Sequence, residues 1–427
     1  MDAATQLIAE SQVPDLFSVP RPPAGPLAGD RGEAVASRTV RVLTVGNTYP
    51  PHHTGGYELV WRSAVEYARA AGHDVRVLTT THREETDEPD DADVHRELSW
   101  YWRDHEIVDP GLLGSQKIER HNHSVLRKHL KDFKPDVVAF WSMGALSLGM
   151  LEHVRRLGIP AVAFVHDDWL VYGRQVDGWY RRAGNRNVNL GMAARYVFVS
   201  ESTRERARAS GLTFVNTGVA HSGVDPVFLQ PAPADTWGWR LLVAGRIDPR
   251  KGIDTAIVGF AQLPPNAQLL IAGGGDAREQ ARLEHMAAEL GVGDRVRFLG
   301  PVARPTLAAA YAAADAVLFP VSWDEPWGLV PLEAMGVGRP VIATGRGGSA
   351  EYLRDGENCL LFEAGDPAGL AAAVVRLSDN DALRERLRQQ GFFTAAQYTE
   401  RAFNEAALAE VLGAPAEHRR TRRGAGR

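Results

Sequence analysis

Residues 323–344 read WDEPWGLVPLEAMGVGRPVIAT, and the passage from loop to helix to strand in this one segment sets the architecture expected of the whole chain. Two carboxylates, Glu325 and Glu333, are separated by seven residues, with Pro326 and Gly328 just after the first. Pro326 suits a helix start, and Leu329, Leu332 and Met335 follow at helical spacing. Residues 340–343 then read as a buried strand. Glu325 is therefore expected in the loop before a helix, and Glu333 on its second turn. Between them the amides of Gly328, Leu329 and Val330 would point out of a positive helix N-terminus, a ready site for phosphate. Carboxylates on either side of an anion site suit a ligand with hydroxyls at both ends and phosphates in the middle. A nucleotide sugar is such a ligand, with Glu325 taking sugar hydroxyls and Glu333 the ribose diol.

Working outward, short apolar strands recur at 241–244, 268–272, 296–299, 316–319, 340–343 and 359–362, with helices between them. The first half has the same rhythm, with strands at 40–45, 75–79, 137–141, 161–165 and 196–200 and helices at 57–71, 115–133 and 145–157. Fully apolar strands alternating with helices predict parallel sheets covered on both faces. The fold class is α/β, with two doubly wound, Rossmann-like domains facing across a cleft. The expected division is an N-terminal arm over 1–38, an acceptor-side domain over 39–225 and a proline-bearing linker over 226–239. A nucleotide-sugar-binding domain over 240–397, a helix at 398–412 returning to the first domain and a basic tail over 413–427 complete it. Ligands of such sheets bind beyond the strand C-termini, which is where the motifs fall.

After the first strand of the second half comes GRIDPRKG, residues 245–252. Arg246 is suited to hold phosphate through two parallel hydrogen bonds, and Lys251 supplies a compact point charge. Fixed cations there would stabilise the charge growing on a departing nucleoside diphosphate. Arg250 has no matching role and reads as a solvated cation. In the first half, residues 46–56 follow a strand and contain His52, His53, Gly55 and Gly56. This loop lacks the Gly-x-Gly-x-x-Gly turn of a dinucleotide fold. His166 ends the strand at 161–165, placed to bind a sugar or steady developing charge. Asp167 and Asp168 follow it and would orient it or contact acceptor.

Composition excludes several classes. At 427 residues the chain exceeds one ordinary core. A net charge of -5 argues against a general nucleic-acid binder. The single cysteine, Cys359, lies in an apolar run and reads as a packed core thiol. No stretch reaches the ~18–20 apolar residues of a membrane helix, the N-terminus lacks the pattern of a signal peptide, and the cytoplasm is the expected location. Asp91-Ala92-Asp93 is superficially a metal-binding pair, but it sits in a charged loop rather than at a strand end. No His and Cys cluster has zinc spacing, so no metal ligands are expected. Trp100, Tyr101, Trp102, Trp169, Tyr172, Trp179 and Tyr180 are aromatic candidates for the acceptor wall.

The chain resembles retaining GT-B glycosyltransferases with the E-x7-E signature, most closely the large family four. Residues 325–335, EPWGLVPLEAM, stand where that family commonly reads Glu-Pro-Phe-Gly-Leu-x-x-Leu-Glu-Ala-Met. Gly245, Arg246, Lys251 and Gly252 match its Gly-Arg-x-x-x-x-Lys-Gly, and Gly55-Gly56 its glycine loop beside the donor phosphates. Residues 200–204 resemble its Val-Ser-x-Ser-x-Arg segment, and 222–225 its Asn-Gly-Val-Asp turn, with Ser222 in place of Asn. The resemblance implies a soluble, metal-independent, retaining transferase without a cofactor, the nucleoside-diphosphate sugar being a co-substrate. It assigns catalytic roles to His166, Arg246, Lys251 and Glu325. Donor contacts fall to Gly55, Gly56, Gly245, Arg246, Lys251, Gly274, Leu299, Glu325, Gly328, Leu329, Val330 and Glu333. The base (UDP, GDP, ADP or dTDP), the sugar, the acceptor (glycan or small polar molecule) and any homo-oligomer stay open. An epimerase or phosphorylase of the same fold, or a non-catalytic sugar-nucleotide binder, are the rival functions.

Overall fold

The computed structural model describes residues 39–53, 55–84, 86–103, 106–177, 190–233 and 236–424. The N-terminal arm, Trp179, Tyr180 and residues 425–427 lie outside them. The first half builds β1 (Arg41–Val45), α1 (Tyr57–Ala70), β2 (Asp74–Thr80), β3 (Val94–Leu98) and the short pair β4 (Trp102–Arg103) and β5 (Glu106–Ile107). It continues with α2 (Gly111–Phe133), β6 (Val137–Phe140), α3 (Gly149–Arg156), β7 (Ala161–Val165), α4 (Trp169–Val176), β8 (Arg195–Phe198), α5 (Glu201–Ala209) and β9 (Thr217–Val219). Its sheet has seven strands in the order β3-β2-β1-β6-β7-β8-β9, every neighbouring pair parallel.

The second half builds β10 (Arg240–Ala244), α6 (Ile253–Phe260), β11 (Gln268–Ala272), α7 (Ala277–Glu289), β12 (Val296–Gly300), α8 (Arg304–Ala313) and β13 (Ala316–Phe319). Then come α9 (Leu329–Gly336), β14 (Val341–Ala343), β15 (Leu360–Leu361), α10 (Pro367–Ser378), α11 (Asp381–Gln397) and α12 (Glu400–Gly424). Its six parallel strands run β12-β11-β10-β13-β14-β15. The central strands are buried throughout, as AVAFV of β7 and AVLF of β13 demand. Alternate residues point to opposite faces, so each sheet carries two apolar layers.

Two strands of the seven-stranded sheet, β3 and β9, were not anticipated, nor was the short pair β4 and β5. The edge strand β3, VHREL, carries three polar residues that tolerate its half-exposed position. β9 has three residues, all half-buried, too few to register as an apolar run. The final helix reaches Gly424 rather than ending near 412, with Pro415 inside it. It returns to the first half: Phe403, Ala407 and Val411 are buried there, and Asn404 Nδ2 donates to Ser63 Oγ at 2.7 Å. The segment after Asp225 is docked rather than loose. Residues 226–228 form a turn capped by the Asp225 carboxylate, and Phe228 is wholly buried.

Candidate active site

In the first sheet the strand order reverses between β1 and β6, in the second between β10 and β13. Loops leaving the C-termini of such strands diverge and open a crevice. The motif loops at 46–56, 245–252 and 320–328 are those loops.

The loops after β10 and β13 are tied together by the Ser322 amide, which donates to the Arg250 carbonyl at 2.9 Å. This brings Lys251 Nζ to 2.8 Å from Glu325 Oε2, and Trp323 Nε1 donates to the same oxygen at 2.9 Å. The two motifs, 74 residues apart, thus meet in one ion pair. Asp248 organises the rest of the cationic loop. Its carboxylate caps the turn Pro249–Lys251 and accepts from Arg250 at 3.0 and 2.6 Å and from Arg246 at 3.3 Å. Burial would raise its pKa, but the Arg250 hydrogen bonds and the Arg250 and Arg246 charges outweigh that and hold it at about 2. Arg250 is exposed, as expected of a solvated cation, but its guanidinium is also engaged by Asp248. Its guanidinium also lies 4.6 Å from the Trp323 ring centre, because a planar weakly hydrated cation stacks on an indole face.

The signature helix α9 starts at Leu329, not at Pro326. Gly328, its N-cap, has φ +84°, a left-handed turn that favours glycine. The Pro326 carbonyl is engaged by Thr203 Oγ1 at 3.3 Å, and Pro331 takes the proline position of the first turn. The Gly328 carbonyl accepts from the Tyr352 hydroxyl. Leu329 packs against core residues of both halves, so the amide-bearing end of α9 stands where the two sheets' loops meet. Glu333 is on the second turn, as expected, and buried. Tyr311 Oη donates to its Oε2 at 3.0 Å, and Arg304 Nη2 lies 3.7 Å from Oε1. Burial raises the Glu333 pKa, opposed by Arg304 and Tyr311. Sequence reading missed both partners; Tyr311 and Arg304 sit on α8 in an alanine-rich segment without a motif.

The backbone of Glu325 is held from behind. The Gly348 amide donates to its carbonyl at 2.7 Å, and a Cβ on Gly347 (φ +63°) would lie 2.4 Å from that oxygen. The turn at 345–349, which follows β14, is thus the seat of the catalytic candidate. Gly245 directly follows β10, while Gly274 follows β11 and receives the Ile247 amide on its carbonyl at 2.8 Å. Leu299 is near the end of β12 and partly buried.

In the first half, Gly55 and Gly56 precede α1. A Cβ on Gly56, at an ordinary φ of -87°, would meet nothing within 4 Å, so chain packing does not require glycine there. His166 follows β7, its ring stacked 5.3 Å from Trp141 and edge-on to Phe403 at 5.6 Å. Burial pushes its pKa down to about 3, so the imidazole is neutral at neutral pH. Its Nδ1 is 3.2 Å from Ser222 Oγ, and the Ser222 carbonyl accepts from Trp327 Nε1 at 2.9 Å. Ser222, the departure from the family pattern, thus links His166 to the signature segment. Burial pushes Asp167 up to about 6; it accepts from the Trp169 amide at 3.0 Å and the Tyr172 hydroxyl at 3.1 Å. Asp168 pairs with Arg206 at 3.0 Å.

Of the aromatic wall candidates, Tyr101 and Trp169 are core residues, 2% and 0% exposed, and do not line a cleft. Trp100 packs edge-on to His82 at 5.5 Å, and Tyr172 is spent on Asp167. Asp91 and Asp93 are committed as well, Asp91 to Arg62 at 2.8 Å and Asp93 to Arg76 at 3.1 Å and His95 at 2.6 Å. Cys359 is buried in the core, its thiol pushed up to about 12 by burial.

Residues 54–228 match the model of Glycosyltransferase Family 4, and residues 230–392 that of Glycosyl transferases group 1. With two parallel sheets meeting at their loop ends, this is the GT-B class. The phosphatidyl-myo-inositol mannosyltransferase of Mycobacterium leprae is 33% identical over 288 residues, 65% of this chain and 73% of that protein. The D-inositol 3-phosphate glycosyltransferase of Thermomonospora curvata is 31% identical over 266 residues, 55% of this chain, which spans 61% of that protein's length. The chain belongs to glycosyltransferase family four. In fold it is similar to Anabaena HepE in complex with UDP-glucose (TM-score 0.66, 20% identity, 88% of this chain and 99% of that one). Sucrose-phosphate synthase from Thermosynechococcus elongatus is also similar (TM-score 0.68, 23% identity, 86% and 97%). Among the described residues no helix is long and apolar enough to cross a membrane.

Proposed function

We propose that this chain is a glycosyltransferase moving a sugar from a nucleoside-diphosphate sugar to a hydroxyl of a glycan or small polar acceptor, with retention and without a divalent metal. The observation that carries this reading is the Lys251–Glu325 ion pair at the reversal point of the second sheet, one helical stretch from buried Glu333. The donor's anomeric C–O bond breaks, its electron pair passing to the diphosphate. Lys251, Arg246 and the amides opening α9 face that growing charge. Glu325, anchored by Lys251 and Trp323, takes sugar hydroxyls, and Glu333 takes the ribose diol. The acceptor oxygen bonds to the anomeric carbon on the leaving-group face, and its proton goes to the departing phosphate oxygen. Retention follows the family's signature. The engagement of Asp91 and Asp93 with arginines supports charge neutralisation by Lys251 and Arg246 rather than by a carboxylate-held metal. Glycine at Gly56, which packing does not require, suits close approach of donor phosphates. The named relatives differ in acceptor, so the acceptor is kept to its chemical class. The test is melting with UDP, GDP, ADP and dTDP, where a ligand at ~100 times its Kd adds about 2.7 kcal/mol. Hydrolysis of the matching donor in EDTA follows. Stabilisation by one nucleotide and metal-free hydrolysis support the reading; neither, or activity restored only by Mg²⁺ or Mn²⁺, overturns it or its metal independence respectively.

A further inference from the structure

Away from the donor loops, β3 and α2 bring together three side chains that spacing along the sequence did not suggest as a set. His95 and Glu97 lie two residues apart on an edge strand, so they share one face. His129 comes from the helix covering that strand. Each of the three can present a donor atom within 4.8 Å of the other two. Glu97 Oε1 is the common point, 3.3 Å from His129 Nε2 and 3.5 Å from His95 Nδ1. Zinc with bonds of ~2.0–2.1 Å in tetrahedral geometry keeps its ligands ~3.3 Å apart. Two edges of such a tetrahedron are therefore already in place.

The surroundings agree. His95 Nε2 lies 2.6 Å from Asp93 Oδ1, and Asp93 is itself held by Arg76 at 3.1 Å. A carboxylate on the far ring nitrogen leaves the lone pair on Nδ1, the nitrogen facing Glu97, and this is how metal-ligating histidines are usually fixed. His129 is 2% exposed, and its Nδ1 has no hydrogen-bond partner among the described residues. Its Nε2 is the nitrogen that faces Glu97, so that is the atom a metal would take, and the unpartnered Nδ1 lies on the far side of the ring. Two cations oppose a metal here: Arg76, through its contact with Asp93, and Lys128, whose Nζ is 3.0 Å from Glu97 Oε2. The Lys128 side chain is 59% exposed, so it can swing away into water.

We infer that His95, Glu97 and His129 form a zinc-binding site, with Asp93 orienting His95 and solvent in the fourth position, clasping the edge strand β3 to α2. Two imidazole nitrogens and one carboxylate oxygen are a borderline-soft donor set suited to zinc. None of the donor-site residues belongs to the cluster, so the clasp is structural.

The test uses the untagged full-length chain, stripped with EDTA and dialysed against zinc chloride. One zinc per chain is expected, with a rise in melting temperature on addition. Cobalt(II) in its place should give the ligand-field absorption of a four-coordinate ion. Glu97→Gln and His95→Gln, both partly exposed, should each abolish the zinc-dependent rise. Asp93→Asn should weaken binding ~10–100-fold, as loss of an outer partner does. Lys128→Ala separates the proposal from an ordinary ion-pair cluster, because it should tighten zinc by removing the competing cation. No retained zinc, stoichiometry unchanged in Glu97→Gln and His95→Gln, or looser binding in Lys128→Ala would each overturn it.

Discussion

Lys251→Ala tests the centre of the site, and its consequences follow from the contact with Glu325. The two side chains are 21% and 12% exposed and 2.8 Å apart, so the pair is largely withdrawn from water. Its strength lies between that of a surface pair and a buried one. Removing Lys251 leaves Glu325 Oε2 with the Trp323 N–H alone. That costs about 1–3 kcal/mol of stability, as for a charged group losing one of two partners. The same change removes a preorganised cation from the departing diphosphate, worth about 3 kcal/mol of barrier, or ~10²-fold in turnover. Glu325→Gln keeps the shape and the Trp323 bond while removing the charge that Lys251 balances. In the double variant Lys251→Ala/Glu325→Gln, stability should therefore return most of the way to wild type while turnover stays low. Side chains in direct contact typically couple by ~0.5–3 kcal/mol. Denaturant melts of the four proteins give one cycle and donor turnover gives the other. The reasoning is refuted if Lys251→Ala keeps turnover within a few-fold of wild type. It is equally refuted if the two substitutions add without coupling in stability.

Glu333→Ala should weaken the nucleoside diphosphate by roughly 1.5–3 kcal/mol, the worth of charged hydrogen bonds, and unchanged calorimetric affinity would remove Glu333 from the ribose. Ser222→Ala should free His166 Nδ1 and lower turnover about 2- to 10-fold, the ~0.5–1.5 kcal/mol of one neutral hydrogen bond, with nucleotide affinity intact; a loss of affinity instead would place the effect on Trp327 packing. Burial, with the nearby His153 and Arg127 charges, pushes His123 down to about 4 from its ordinary 6.5. Its stabilisation is complete above that ordinary value and is lost as pH falls through the folded one, since the unfolded chain then binds the extra proton. Melts of His123→Gln from pH 7 to pH 4 should show a shallower acid loss than wild type, and parallel curves would contradict the assignment.

The central strands of both sheets were legible because a fully buried parallel strand must be a short unbroken apolar run, as in VVAF of β6 and AVLF of β13. β3 was not, since an edge strand need satisfy only one side and VHREL resembles a loop. Glu325, Glu333, Arg246 and Lys251 were legible because their spacing is tied to loop and helix geometry. Their partners were not. Tyr311 and Arg304 come from a helix with no distinctive local pattern, and they reach Glu333 only because β13 sits beside β10. Ser222 was read as a defect in a pattern, while its hydroxyl is what meets His166. The cluster at His95, Glu97 and His129 joins residues 32 positions apart across a strand and a helix, a relation no local spacing encodes.

The polypeptide passes between its halves twice, and the two passages run side by side. Val224 N donates to Tyr398 O at 2.8 Å, Glu400 N donates to Val224 O at 3.0 Å, and Gly223 is pressed against Thr399, where a Cβ would lie 2.0 Å from its carbonyl carbon. Two threads fastened at one place act as a pin joint. Rotation about it lengthens neither thread and disturbs neither sheet, whereas crossings at opposite edges would have locked the halves at a fixed angle. It also gives the covalent passage a non-covalent second hold. A single proteolytic cut between residues 226 and 239 separates the two halves into different polypeptides, and α12, continuous with the second half, then holds them together by its packing beside α1.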